Sequence, residues 1–176
     1  GQDVLDRFPT AAVEAYHMDN VIHAVRPNEY TRQHEHVTHA GVQLVPTLLV
    51  VPMPLIKIMF EDDHEHLLAL RDYVSRQPWS ADYEVFFSDR TLLEVTRKGA
   101  SKGAMVARLA KRLGISIDHV YCAGDENNDL SMLTMAAEGF APANCVETVR
   151  SCGATIVADC DHDTLAEIVS ILDKRY

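Results

Sequence analysis

The segment that most narrows the fold is residues 119–133, HVYCAGDENNDLSML. An apolar run ends at Ala123, Gly124 permits a tight turn, and Asp125 stands where a strand gives way to a helix. Open α/β sheets hold their ligands at that carboxyl end of their strands. Asp129 follows four residues later, one helical turn away on the same side. Two carboxylates converging there suit a hard divalent cation such as Mg2+, which takes oxygen ligands and keeps waters for a phosphate to replace. Asn128 adds an amide donor between them. The plainer alternative makes Asp125 a helix cap and Asp129 a first-turn acid, both common arrangements.

The flanking segments extend an alternation of strand and helix. Residues 99–114, GASKGAMVARLAKRLG, predict a helix capped by Ser101 and stopped by Gly114, with Met105, Val106, Leu109, Ala110 and Leu113 as its buried stripe. Lys102 sits at the start of that helix, where its point charge could reach a phosphoryl oxygen at the same end of the sheet. Short strands over 139–141 and 154–157 and a helix over 164–172 complete a parallel α/β pattern. About three strands is few for a sheet with helices on both faces.

The first half reads differently. A weak helical pattern covers 3–15, a short strand 20–25, and a polar, histidine-rich stretch 29–39. Residues 55–60, LIKIMF, have strand composition, and 62–74 place Leu67, Leu70, Tyr73 and Val74 on one helical face. Residues 83–87 and 92–96 make a hairpin around Ser88, Asp89 and Arg90. The chain therefore divides near Leu93, into an α+β unit (1–92) and an α/β unit (93–176).

Charge limits the partners. Lys and Arg number 16 against 26 Asp and Glu, a net charge of -10. Such a field repels polyanions and argues against nucleic acid or an anionic membrane as partner. An anionic substrate then needs a local cation, and Lys102 could serve. The four cysteines, Cys122, Cys145, Cys152 and Cys160, form no CxxC pair and no zinc spacing, as expected of reduced thiols in a cytoplasmic protein. No basic segment followed by an apolar run opens the sequence. The long apolar stretch 42–60 carries Pro46, Pro52, Pro54 and Lys57, which no simple membrane helix tolerates.

ASKG at 100–103 followed by GDENNDLSML at 124–133 resembles the third and fourth motifs of the haloacid dehalogenase superfamily, in its Cof-type branch of sugar-phosphate phosphatases. FAPANC at 140–145 looks like the branch's strand and Asn-containing loop after the fourth motif, and residues 1–92 look like its large cap domain. The resemblance implies a partial Rossmannoid core, a parallel sheet, beside an α+β cap. It implies Lys102 as the phosphate-binding lysine, Asp125 as a Mg2+ ligand, Asn128 as a phosphate contact and Asp129 as an acid supporting the metal site. The family's first motif, a strand ending in DxDG(T/V) that carries the aspartate nucleophile, occurs nowhere in residues 1–176. Without a nucleophile no aspartyl-phosphate step is possible.

Two other patterns compete for attention. Residues 158–165, ADCDHDTL, mimic a DxDxD motif after an apolar run, but no Gly follows the second Asp and the Thr falls late. Loop and capping duty, with Asp163 near the start of the last helix, is the expectation for Asp159, Asp161 and Asp163. HEHVTH at 34–39 is not HExxH, and reads as a solvated polar face. The sequence thus points to a Mg2+-dependent phosphatase of small phosphorylated metabolites, catalytically incomplete as this chain alone. A strand edge would be left exposed where the missing strand belongs, open to self-association. The rival is a non-catalytic relative that binds a phosphorylated ligand or a partner chain through that edge.

Overall fold

The computed structural model describes residues 1–175, which fall into two compact units, Gly1–Gly99 and from Ala100 onward. The division lies at Gly99 rather than near Leu93 because the hairpin's second strand is an interior strand of the first unit's sheet.

In the first unit, helix α1 (Gln2–Arg7) leads into strands β1 (Ala12–Tyr16) and β2 (Ile22–Val25). Helix α2 (Glu29–Thr38), the two-residue strand β3 (Gln43–Leu44), strand β4 (Lys57–Glu61) and helix α3 (His64–Ser75) follow. Strands β5 (Tyr83–Asp89) and β6 (Leu92–Arg97) close the unit. The sheet order is β3-β2-β1-β4-β6-β5, antiparallel except where β2 meets β3.

Strand periodicity assigns the two faces. Val13, Val25, Phe60, Leu93 and Val95 point to one face, where Val4 and Leu5 of α1 and Leu67, Leu70 and Val74 of α3 cover them. The predicted apolar face of α3 is therefore the buried one, with Tyr73 and Trp79 packed at its margin. Glu14, Met59, Glu61, Glu94 and Thr96 point to the opposite face. The weak helical pattern over 3–15 is overturned in its second part: 12–15 is strand. Ala12, Val13 and Ala15 are buried between β2 and β4, and cross-strand pairing prevails over the helical propensity of an alanine-rich run.

In the second unit, helix α4 (Lys102–Leu113) precedes strand β7 (Tyr121–Ala123) and helix α5 (Leu130–Met135). Strand β8 (Glu138–Pro142), the single-turn helix α6 (Glu147–Arg150), strand β9 (Thr155–Val157) and helix α7 (Thr164–Leu172) complete it. The sheet is parallel in the order β7-β8-β9, which leaves β7 at one edge and β9 at the other. Cys122, Leu133, Ala141 and Val149 form one core with Val106 of α4, and Phe140, Val157 and Ile168 of α7 form a second. The cores on both sides give the mixed α/β layering expected of the parallel pattern.

The caps of α4 match the sequence reading. Ser101 accepts the Ala104 N–H at 3.3 Å, and Gly114 ends the helix with φ 69°. The expected stripe does not all go inside: Ala110 is buried and Val106 is packed in the core, but Met105, Leu109 and Leu113 are 41%, 56% and 62% exposed. Asp163 stands at the N-cap of α7 in the left-handed conformation, φ 57°, and its side chain caps nothing. Thr164 Oγ1 instead donates to the carbonyls of Ala158 and Asp159, and Glu167 accepts the Ala158 N–H. The four cysteines are free thiols. Among the described residues no helix is long and apolar enough to cross a membrane.

Candidate active site

Asp129 is the centre of the site in the second unit. It lies at the end of a short 3-10 turn, Asn127–Asp129, between β7 and α5, and is 3% exposed. Its Oδ1 accepts from Lys102 Nζ at 2.5 Å. Its Oδ2 accepts the backbone N–H of Asp125 at 3.0 Å and of Glu126 at 3.1 Å. One buried carboxylate thus ties the start of α4 to the loop after β7. Both of its oxygens accept hydrogen bonds, so Asp129 organises the loop.

Two glycines make this approach possible. A Cβ on Gly124 would lie 2.4 Å from the Asp129 Cβ, far inside contact distance. A Cβ on Gly103 would lie 2.2 Å from the Ser131 carbonyl oxygen. Gly103 N–H instead donates to Ser131 Oγ at 3.0 Å, so the first turn of α4 rests directly on α5. That packing carries Lys102 to Asp129. The Ser131 contact escaped the sequence reading, although the residue lies inside the quoted motif; a serine early in a helix usually reads as ordinary polar surface.

Asp125 is exposed at the carboxyl end of β7, its backbone held on both sides, with N–H to Asp129 and C=O accepting from Val146 N–H at 3.0 Å. A hard-oxygen donor fixed in this way fits an ion such as Mg2+, which binds through one or two carboxylates and retains waters. Asn128 lies in the same turn, and its Oδ1 is buried without a hydrogen-bond partner. Neighbouring Asn127 accepts from Thr148 Oγ1 at 2.6 Å, which ties the turn to α6. Lys102 keeps half its side chain exposed, 49%. Its ammonium carries three donors, so donors beyond the one given to Asp129 are available to a ligand.

Within the competing segment, Asp159 is engaged by its own loop. Asp159 accepts from His162 and from the Asp161 N–H at 3.0 Å, and the His162 hydrogen bond holds its carboxyl below the usual range. The histidine-rich stretch divides: His36 and His39 are exposed as expected, but His34 turns toward the buried acids Glu14 and Glu61. Spacing within the stretch could not reveal this, because the acids come from β1 and β4.

Residues 6–169 match the haloacid dehalogenase-like hydrolases, and the chain belongs to that family. Its relatives include YxeH of Bacillus subtilis (strain 168), 32% identical over 127 residues that cover 69% of this chain and 45% of YxeH. The HMP-PP phosphatase of Klebsiella pneumoniae (strain 342) is 28% identical over 116 residues, 65% of this chain and 42% of that protein. Among solved structures, the HAD subclass IIB sugar phosphatase BT4131 superposes with a TM-score of 0.84 at 19% identity, over 98% of this chain and 64% of its own. The chain spans under half the length of those two curated relatives.

Proposed function

We propose that this chain supplies the cap and the second half of the core of a Mg2+-dependent phosphatase of small phosphorylated metabolites. The observation that carries the reading is the contact of Lys102 with Asp129, which joins the two motif segments at the carboxyl end of the sheet. The relatives support the substrate class, since the names of two of them specify phosphatases. In this reading Asp125 holds the ion, which when bound would draw charge from the phosphoryl oxygens. Lys102 Nζ, oriented by Asp129, donates to a phosphoryl oxygen, and the Asn128 amide helps to seat the same group. The attacking aspartate belongs to the DxDG(T/V) motif, which residues 1–176 do not contain.

The test is hydrolysis of p-nitrophenyl phosphate with Mg2+. The 176-residue chain alone is expected to give none. A longer polypeptide carrying a DxDG(T/V) strand ahead of it is expected to turn over, and Lys102→Ala in that polypeptide to lose on the order of 10²- to 10³-fold in rate. Full activity in Lys102→Ala would overturn the assignment.

A further inference from the structure

Glu14 on β1 and Glu61 on β4 lie on the sheet face opposite the α1 and α3 core, and both are 0% exposed. Their strand register makes them diagonal neighbours, since Glu14 pairs with Met59 and Glu61 stands two residues further on the same face. His34 of α2 approaches both, its Nδ1 3.2 Å from Glu14 Oε2 and 3.6 Å from Glu61 Oε1. The Glu14 contact favours a protonated imidazole, yet His34 Nδ1, Glu14 Oε1 and both oxygens of Glu61 are buried without a well-formed hydrogen bond. The Tyr16 hydroxyl donates to Glu14 Oε2, the one oxygen of the pair that is satisfied.

When both carboxyls are ionised they face at most one imidazolium, and an uncompensated buried charge costs several kcal/mol. Lys57 on the same face is committed elsewhere, with Nζ 3.1 Å from Glu94 Oε2 and over the Tyr16 ring. A dication beside a neutral imidazole and two carboxylates would bring the count to zero and give the orphaned atoms a partner.

The distances suit a particular kind of ion. One donor atom from each of the three residues lies within 4.8 Å of the others. Donors bound at about 2.0–2.1 Å in a tetrahedron stand about 3.3 Å apart, between the two His34 separations. An imidazole with two carboxylates disfavours Mg2+ and Ca2+, which take oxygen ligands, and favours Zn2+. The Tyr16 hydroxyl would orient the Glu14 carboxylate, as outer partners do in metal sites. A second grouping, Asp62, Asp63 and His66, has an ordinary explanation, since Asp63 caps α3 and Asp62 accepts from Thr10.

We propose that Glu14, His34 and Glu61 form a binding site for Zn2+ in the first unit, separate in residues and in chemistry from the Mg2+ position proposed at Asp125. The test is calorimetric titration of the full chain, stripped with chelator, with Zn2+ alone at about pH 7.5. One tight equivalent is expected, retained in Asp125→Asn and weakened 100-fold or more in Glu61→Gln and in His34→Ala. That exceeds the roughly 10- to 100-fold typical of losing an outer partner. His34→Ala removes a partly exposed side chain of α2 and leaves the strands unchanged, so it decides the matter if Glu61→Gln does not fold. Absence of tight Zn2+ binding, or equal affinity in the wild type and the folded variants, overturns the proposal. Loss of the tight equivalent in Asp125→Asn alone would place the ion at the other position and also overturn it.

Discussion

Lys102 and Asp129, 27 positions apart in sequence, meet at 2.5 Å, and the same carboxylate also takes two backbone N–H groups. The contact therefore has a structural role as well as the one proposed in phosphate binding. Asp129→Ala strands the N–H groups of Asp125 and Glu126 and removes a buried partner of Lys102. Urea unfolding is expected to show a loss of about 3 kcal/mol. Lys102→Met, at a half-exposed position, is expected to cost less, about 1 kcal/mol. Equal costs would mean that the loop does not depend on Asp129 as described.

Gly103→Ala forces a methyl group against the Ser131 carbonyl. The expected loss is about 2 kcal/mol or more, measured by the same unfolding experiment. Gly41→Ala, where a Cβ meets nothing within 4 Å, is the control and is expected to change stability by less than about 0.5 kcal/mol.

Glu138 offers a test by pH. The Arg175 hydrogen bond, and after it that of Thr155, hold its carboxyl below the ordinary 4.5. A carboxyl lowered on folding stabilises the fold at pH values above 4.5, and that contribution fades as pH falls through the folded value. Wild type is expected to exceed Glu138→Gln by about 0.5 kcal/mol at neutral pH, a modest figure because the pair is near the surface. The difference should shrink as pH falls below 4.5 and vanish once pH lies below the lowered folded value. A difference that persists in acid would assign the effect to packing instead.

Asp159→Ala, in a polypeptide that turns over p-nitrophenyl phosphate, is expected to leave the rate within about twofold. Its partners are His162 and a backbone N–H of its own loop. A rate loss on the scale expected for Lys102 would restore a catalytic role to the DxDxD-like segment.

The parts of this structure that local chemistry decides could be read from the chain. Ser101 and Gly114 bound α4 because a hydroxyl cap and a left-handed stop need no distant partner. The Lys102 and Asp129 segments were legible as motifs, although Gly103 and Ser131 show only in three dimensions how the two are held together. Strand β1 is only partly legible, because alanine favours a helix until β2 and β4 pair on either side of it. The Glu14, His34 and Glu61 grouping had no spacing to betray it, since its members come from two strands and a helix.

The outward side of α4 has a practical meaning. Met105, Leu109 and Leu113 recur at helical intervals and remain in water, so this polypeptide carries an oily ridge despite its acidic balance. Salting-out agents, which strengthen the tendency of such surfaces to coalesce, should precipitate it sooner than its net charge alone would suggest. Purification by ammonium sulfate steps will select for that ridge, and dilute, low-salt handling will keep the material dispersed.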